Sequence, residues 1–397
     1  MGIFANPLTD LLEYEDFSRD FLKGTDPVGM TGCIDSEKVH FMSTFLGEKK
    51  VQLVVTYNEQ RAREIEEDYK LFCSQVYVIP PRDLIFFSAD LQGNAIIAER
   101  MKAFAALYQN EAKVIITTMD ALMSAAVPFE QLMSHVIKLK EGDELDLEKL
   151  KHDLTVMGYE RVGRVEEPGQ FTVHGGIADV YPLTMEVPVR IELWGDEIDT
   201  IRCFEPQSQR SMDQIESVSV FPAAEVIADD TARRRAVGMI KNELESQLAV
   251  FKKAKEPDKA KRLREETNRI LEALGEDVVL EAPDSYISYF YPRTVQLSEY
   301  FDEKNTLVFL DEPMRLKERG DGVQAEFEES MKNRLEQGFL LPGQTALLTP
   351  AKHVLAAFER GQVAALSSLD SRLADFTVVN SYAVNVQNMN TYREGFE

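Results

Sequence analysis

Hydrophobic residues between positions 51 and 119 recur in two alternating patterns. VQLVVTY, VYVIP and KVIITTM are short apolar runs typical of buried strands, whereas NEQRAREIEEDYKLF and NAIIAERMKAFAALYQ carry apolar residues at helical spacing. Strands that alternate with helices in this way predict a parallel sheet whose crossover helices cover its faces. This part of the chain is therefore interpreted as α/β.

The pattern changes near Lys138. LKEGDELDLEKLKHDLTVMGYERV predicts a short helix, followed by strand-rich sequence with Gly and Pro turns to about Pro222. In VPVRIELW, strict alternation puts the apolar residues on one face of a strand and Arg190, Glu192 and Trp194 on the other. The only tryptophan of the chain therefore lies beside an arginine, and exposed Trp and Arg are residue types that anchor protein interfaces. Burial of this face beneath a second layer is the open alternative.

Residues 229–275 are highly charged but keep apolar residues at helical spacing, which predicts two helices broken near Pro257. The basic clusters Arg233–Arg235 and Lys252–Lys255 permit a DNA-binding interpretation, although mixed charge favours a solvated helix surface. Farther on, TLVFLDEP predicts a strand and EFEESMKNRLEQG a helix. The Ser-rich tail ends in a helix start near Asn390, so the chain is expected to stop within an element, as an expressed fragment would.

Composition narrows the class of protein. The length of 397 residues suggests two or three domains, and the hydrophobic fraction of 44% is that of a globular protein. A formal charge of -24 disfavours generic nucleic-acid binding, because it repels the phosphate backbone. The three cysteines are far apart and predict reduced thiols rather than a disulfide or a zinc site. Without a secretion signal or a membrane-length apolar run, a cytoplasmic location is expected.

A long ordered stretch carries a family resemblance. The run from GYERV through EEPGQF, GGIADVYPL, VRIELWGDEIDTIR and FEPQSQRS resembles the second domain of the bacterial transcription-repair-coupling factor (Mfd) family, which is similar to the partner-binding domain of the excision-nuclease protein UvrB. The resemblance implies a degenerate P-loop-NTPase-like α/β domain with a parallel sheet, split by an inserted, mainly β (α+β) domain. The implied boundaries are 1–137 and 223–360 for the two parts of the NTPase-like domain, 138–222 for the inserted UvrA-binding domain, and 361–397 for a linker and the truncated start of a next domain.

A functional P-loop has the signature GxxxxGK[ST], because backbone amides cradle the phosphates, the lysine neutralises them and the hydroxyl holds magnesium. When PVGMTGCIDSEKVHF is aligned with the intact UvrB loop, Ile34 replaces the second glycine and Asp35 the lysine. A carboxylate at the lysine position repels phosphate, so no nucleotide binding is predicted. Asp35 or Ser36 is interpreted instead as a helix N-cap with Glu37 in the first turn. The vestigial loop comprises Gly29, Thr31, Gly32, Asp35 and Ser36.

Other candidate chemistry is weak. Asp311 and Glu312, at the end of LVFLDEP, resemble the magnesium-holding acidic pair of such motors, but without the lysine they are interpreted as a remnant, with an acidic turn as the simpler interpretation. No histidine shows HExxH spacing or an obvious nucleophile partner. We therefore predict no catalytic residue, no metal site and no cofactor for this chain.

The resemblance implies that the second domain binds the damage-recognition protein UvrA. Arg190 matches an arginine of the family motif, Trp194 falls where the family has an aromatic residue, and His174 falls where relatives usually carry arginine. Histidine is mostly neutral at pH 7 and cannot make the planar bidentate pair of a guanidinium with a carboxylate. His174 is therefore expected to contribute weakly, or binding is expected to strengthen toward pH 6.

The family also implies functions outside this chain. Its full-length members are ATP-dependent DNA translocases whose motor domains use ATP and magnesium, bind double-stranded DNA and displace stalled RNA polymerase, and a C-terminal domain masks the UvrA-binding surface. This chain is expected to be a non-catalytic recruitment module of transcription-coupled nucleotide excision repair. The alternatives are a UvrB-like ATPase or helicase fragment and a damaged-DNA-binding module.

Overall fold

The structure is a computed structural model of the 397-residue chain. It describes residues 13–48, 50–82, 92–275, 280, 283–369 and 376–384. The predicted helix start near Asn390 lies outside these ranges. Within them, no helix is both long and apolar enough to cross a membrane.

The described elements fall into three successive groups along the chain. The first group is α1 (Tyr14–Lys23), β1 (Val28–Thr31), α2 (Asp35–Ser43), β2 (Val51–Thr56), α3 (Glu59–Tyr69), β3 (Val76–Ile79), α4 (Gln92–Tyr108), β4 (Val114–Thr118), α5 (Met119–Met123), β5 (Ala125–Ala126) and α6 (Phe129–Met133). The second group is β6 (Ile137–Lys140), α7 (Leu147–Val156), β7 (Glu160–Arg161), β8 (Gln170–His174), β9 (Ile177–Val180), β10 (Val189–Trp194), β11 (Glu197–Phe204), β12 (Ser211–Gln214) and β13 (Ser217–Val220). The third group is α8 (Asp230–Ala254), α9 (Pro257–Gly275), α10 (Ile287–Phe290), β14 (Val295–Gln296), β15 (Thr306–Asp311), α11 (Pro313–Glu336), α12 (Ala351–Ala356), β16 (Val363–Ser367) and β17 (Asn380–Ala383).

The main sheet is parallel throughout, with the strand order β17-β1-β16-β15-β2-β4-β3. It combines strands from the first and third groups, so the chain leaves this sheet after β4 and returns to it at β15. Its central strands β2 and β15 are almost continuously apolar, as expected for parallel strands buried on both faces. The predicted α/β fold with a parallel sheet is confirmed.

Helices cover both faces of the main sheet. Alternation along β2 places Leu53 and Val55 in one hydrophobic core and Val54 in the other. Helices α2 and α3 pack on the Val54 side, where Phe41 and Ile65 are buried. Helices α4, α5, α8, α9 and α11 contribute to the larger core on the opposite side. The apolar runs of the strands are therefore buried by helices from both parts of the chain.

The predicted end of the second part at residue 360 is wrong for two strands. β16 lies inside the main sheet between β1 and β15, and all five of its residues are buried. β17 pairs with β1 at the edge of the same sheet. The predicted linker beginning at residue 361 therefore includes strands of the α/β domain, because VAALS supplies the apolar run that separates β1 from β15.

The second group forms a separate sheet with the order β12-β11-β10-β9-β8-β7. Its neighbouring strands are antiparallel except for the β7–β8 pair, and β6 pairs with β13 in a two-stranded sheet beside it. Val189 and Ile191 of β10 point into a core that also contains Phe171, Ala178 and Ile201. One face of this sheet is thus buried, and the opposite face carries the candidate site.

The charged segment folds as two long helices, as predicted. Helix α8 ends at Ala254 and is followed by Lys255, which has the left-handed φ of +60° that commonly terminates helices. Pro257 then begins α9, where its fixed φ suits the first turn and its missing N–H is not needed. The predicted break near Pro257 is confirmed.

Candidate functional site

The outer face of the six-stranded sheet is organised in cross-strand rows. One row contains Thr172, Asp179, Arg190, Arg202 and Gln214, because each is the direct partner of the next in the strand register. Directly paired residues of an antiparallel sheet point to the same side.

A second row on this face contains His174, Ile177, Glu192 and Thr200. Beyond it, Trp194 pairs with Glu197. The register therefore brings all three predicted partner-binding residues, Arg190, Trp194 and His174, to one face.

Trp194 lies at the tip of the β10–β11 hairpin and is 84% exposed. The strands are joined by the two-residue turn Gly195–Asp196, in which Gly195 has a φ of +68°. A positive φ at the first turn position suits the tight hairpin turns that match strand twist, and glycine adopts it without strain. Because Val189 and Ile191 fix the inward positions, the alternation continues to Trp194 and leaves its indole in solvent. The second layer that would bury Trp194 is absent from the described part of the chain.

Arg190 is held inside the face by its own domain. Its Nε and Nη2 donate to the two carboxylate oxygens of Asp179 at 2.8 and 2.7 Å, and Nη2 also lies 3.3 Å from Gln209 Oε1. The guanidinium lies over the buried ring of Phe204, 4.7 Å from its centroid. These contacts raise the pKa of Arg190, mainly through its hydrogen bonds to Asp179. The ion-pair partner of Arg190 is thus Asp179.

His174 ends β8 and is exposed. Its Nε2 lies 3.0 Å from the hydroxyl of Thr172 on the same strand face. Its cross-strand neighbour is Ile177, which is 40% exposed and followed in the row by Glu192. This half of the face is open and mixed in character, with an apolar centre and a carboxylate beside it.

Arg202 is a charged residue of this face that the sequence pattern did not single out. β11 contains a register shift, so that Glu192 pairs with Thr200 but Leu193 pairs with Ile198. The skipped residue, Asp199, is a β-bulge that breaks the alternation of EIDTIRCF. A strict period of two therefore fails here, and only the observed register shows that Arg202 lies beside Arg190.

The vestigial loop is packed against the chain itself. Gly32, after β1, has a φ of +86°, and a Cβ built on it would lie 1.9 Å from the carbonyl oxygen of Val384. Val384 also donates its N–H to the Thr31 carbonyl at 2.8 Å, while a Cβ on Gly29 would approach Ser381 and Val378 at 3.4 Å. The segment around β17 therefore lies directly against the loop.

The helix that follows the loop is capped from within. α2 begins at Asp35, so its N-cap is Ile34, and the prediction of Asp35 or Ser36 as the cap is wrong. The side chain of Glu37 accepts the Ile34 N–H at 3.3 Å. A carboxylate at this position accepts a hydrogen bond from one of the free amides and interacts favourably with the positive end of the helix dipole. The predicted lysine substitute, Asp35, and its neighbour Ser36 are exposed.

The acidic pair Asp311 and Glu312 forms ion pairs with a buried lysine. Lys38, one turn into α2 and 1% exposed, places its Nζ 2.7 Å from Asp311 Oδ1 and 2.6 Å from Glu312 Oε1. The other Asp311 oxygen accepts from Thr56 at 2.9 Å and from Arg61 at 3.3 Å. These carboxylates are therefore neutralised by side chains of this chain. No local sequence signal marks Lys38, because its carboxylates lie 273 and 274 residues away along the chain.

Glu312 is held by contacts with Lys38 and with Ser368. Its φ of +54° is left-handed, and its Oε1 accepts from the N–H of Ser368 at 2.8 Å and from the Ser368 hydroxyl. Burial raises the pKa of Glu312, but the hydrogen bonds from Lys38 and Ser368 outweigh burial and hold its pKa below the ordinary value. Among the described residues, no group of three or more potential His, Cys, Asp or Glu ligands could hold a metal ion.

The two basic clusters of α8 do not form one patch. Arg233–Arg235 occupy its first turns and Lys252–Lys255 its last, so at 1.5 Å per residue the clusters are about 28 Å apart. Arg233 donates to the carbonyl oxygens of Ala228 and Ala273, and Arg234 to that of Asp230. These arginines therefore contribute to helix ends within the fold.

Comparison with known proteins agrees with the resemblance. Residues 137–225 match the family described as the UvrB interaction domain. A transcription-repair-coupling factor of Bacillus subtilis is 31% identical over 343 residues, which are 85% of this chain and 29% of that protein. The same-named protein of Staphylococcus epidermidis is 29% identical over 348 residues, 86% of this chain and 29% of its own length. The chain thus spans less than a third of these relatives.

Replacement of Lys38 by methionine tests the closed cluster. It leaves two buried carboxylates without their shared cation, so we expect the free energy of unfolding at pH 7 to fall by about 3 kcal/mol. Because Lys38 lowers the pKa of Glu312, the wild-type advantage is complete above about pH 4.3 and shrinks as the pH falls through the lowered pKa. Urea unfolding at pH 7 and at several pH values well below 4 measures this difference.

Lys70→Met is the matched control, because Lys70 pairs with Glu66 at 2.7 Å on an exposed helix surface. Its loss is expected to cost less than about 0.5 kcal/mol. Equal effects of the two substitutions, or a Lys38→Met effect that does not change with pH, would contradict the assignment.

Proposed function

We propose that this chain, which is similar to transcription-repair-coupling factors over most of its length and contains a region matching the UvrB interaction domain, recruits UvrA to couple transcription with nucleotide excision repair. The observation that carries the proposal is Trp194, the only tryptophan of the chain, exposed on the outer sheet face of the matched region. Tryptophan is enriched among the residues that carry most of the binding energy of protein interfaces.

The composition of the face supports docking rather than catalysis. Trp194 and Ile177 supply apolar area, and the ion-paired Arg190 keeps the strands beneath them in register. Tryptophan and arginine at the centre of an interface typically account for about 2 kcal/mol or more each when truncated. In this proposal Trp194 contacts UvrA directly, while Arg190 contributes through the shape of the face and through its Nη1, which makes none of the hydrogen bonds described above.

The α/β domain then serves as a scaffold without nucleotide chemistry. In this proposal Lys38 neutralises the acidic pair, as a magnesium ion would. Glu37 places a negative charge at the start of the helix, as a phosphate would. ATP-driven movement on DNA and the binding of RNA polymerase belong, in this proposal, to parts of the family outside the region that this chain matches. The chain itself requires no cofactor.

Trp194→Ala is expected to weaken binding of purified UvrA by roughly thirtyfold, equivalent to about 2 kcal/mol. Because the indole is exposed, the free energy of unfolding should stay within about 0.5 kcal/mol of the wild type. Calorimetric titration measures the affinity, and thermal unfolding measures the stability.

The matched control is Leu71→Ala, which removes an apolar side chain that is 78% exposed on the α/β domain. It should leave UvrA affinity unchanged. If Trp194→Ala binds as tightly as this control, the outer sheet face does not dock UvrA.

His174 is expected to act as a weak, protonation-dependent contact. If a carboxylate of UvrA faces it, affinity should rise severalfold between pH 8 and pH 6, because the imidazolium is the form that pairs with an anion. The measurement is the same titration at several pH values for the wild type and His174→Ala. An identical pH profile for both proteins would remove His174 from the interface.

A further inference from the structure

The side chain of Arg202 contains a hydrogen-bond donor that has no acceptor. Its Nε is buried and has no hydrogen-bond partner, a condition shared in the described part of the chain only with side-chain atoms of Ser18, Arg82 and Arg235. Of these residues, Arg202 alone lies on the outer face of the six-stranded sheet. A buried donor left unsatisfied costs about 1–3 kcal/mol, so its presence calls for an explanation.

The cross-strand neighbours of Arg202 form their hydrogen bonds and ion pairs with other residues. Arg190, its partner on β10, is neutralised by Asp179. Gln214, its partner on β12, donates to Glu141 Oε1, and the same oxygen lies 3.4 Å from the N–H of Ile201.

The remaining carboxylate on the neighbouring row is also occupied. Glu192 accepts from the hydroxyl of Thr200 at 3.3 Å. No described acidic side chain pairs with Arg202 within 4 Å. The row therefore carries one positive charge, that of Arg202, which has no ion-pair partner among the described residues.

The position of Arg202 places this charge within reach of the same partner as Trp194. Arg190 and Trp194 are four residues apart on β10, and Arg202 lies directly beside Arg190. At about 3.3 Å per residue, the backbones of Arg190 and Trp194 are roughly 13 Å apart along the strand, so Arg202 and Trp194 both fit inside one ordinary protein interface.

We propose that Arg202 is the ion-pairing contact of the outer sheet face and binds a carboxylate of a docked protein partner. This inference rests on the proposed function and names the chemistry of the partner surface, an Asp or Glu side chain placed to one side of the pocket that receives Trp194. A guanidinium binds a carboxylate through two parallel N–H donors, and the bond is stronger when docking removes it from water. The partner carboxylate accepts from the two terminal nitrogens of the guanidinium, because the buried Nε lies out of its reach.

The test compares Arg202→Gln, Arg202→Lys and Trp194→Ala in the full chain, titrated with purified UvrA at low and high salt. Arg202→Gln should weaken binding about tenfold at low salt and reduce its salt dependence. Arg202→Lys should lie between Gln and wild type, because it keeps the charge and loses the bidentate geometry. The matched control is Arg161→Gln, an exposed arginine on the edge strand β7, which should bind as the wild type does.

A stability measurement separates contact from scaffold. If Arg202 contributes only to partner binding, Arg202→Gln leaves the melting temperature of the free chain unchanged or raises it. If Arg202 has a structural role, the substitution lowers the melting temperature.

Three results would decide the matter. Wild-type affinity of Arg202→Gln together with weak binding of Trp194→Ala would overturn this inference and leave the proposed function intact. Wild-type affinity of both variants would refute the proposed function itself. A fall in affinity matched by a fall in melting temperature, not rescued by Arg202→Lys, would overturn the contact role.

Discussion

The alternation of side chains along β10 is the constraint on which the outer face of the six-stranded sheet depends. Val189 and Ile191 are fully buried, and moving the strand by one residue would expose both and bury the charge of Arg190. The ion pair between Arg190 and Asp179 adds a cross-strand bond specific to one register. Trp194 is therefore held in water by the core beneath it, and its exposure is a consequence of the fold rather than of a mobile surface.

The α/β domain shows a second use of internal charge. Lys38 neutralises the acidic pair Asp311 and Glu312, and Glu37 accepts the Ile34 N–H at the start of α2. Removing any one member would leave a buried or terminal charge unsatisfied. The cluster thus joins the carboxyl end of β15 to the first turn of α2.

Much of this architecture follows from local patterns, and the rest depends on long-range pairing. The apolar runs of the parallel strands and the alternation that exposes Trp194 are readable in the sequence. The position of Arg202 on the outer face does not follow from the sequence pattern, because a bulge at Asp199 breaks the period of two. Lys38 meets its carboxylates 273 and 274 residues away, which no local pattern encodes. β16 was hidden in a Ser-rich tail because its place between β1 and β15 is set by tertiary contacts.

In the function proposed for this chain, its single tryptophan is exposed in the free protein and becomes covered when UvrA binds. Incorporation of 5-fluorotryptophan gives one ¹⁹F resonance, from Trp194, in the whole chain. We predict a resonance with the full solvent isotope shift of an exposed indole in the free chain, and a displaced resonance without that shift when UvrA is added to saturation. An unchanged resonance in the saturated complex, or a free chain whose resonance is already shielded from solvent, would contradict the account.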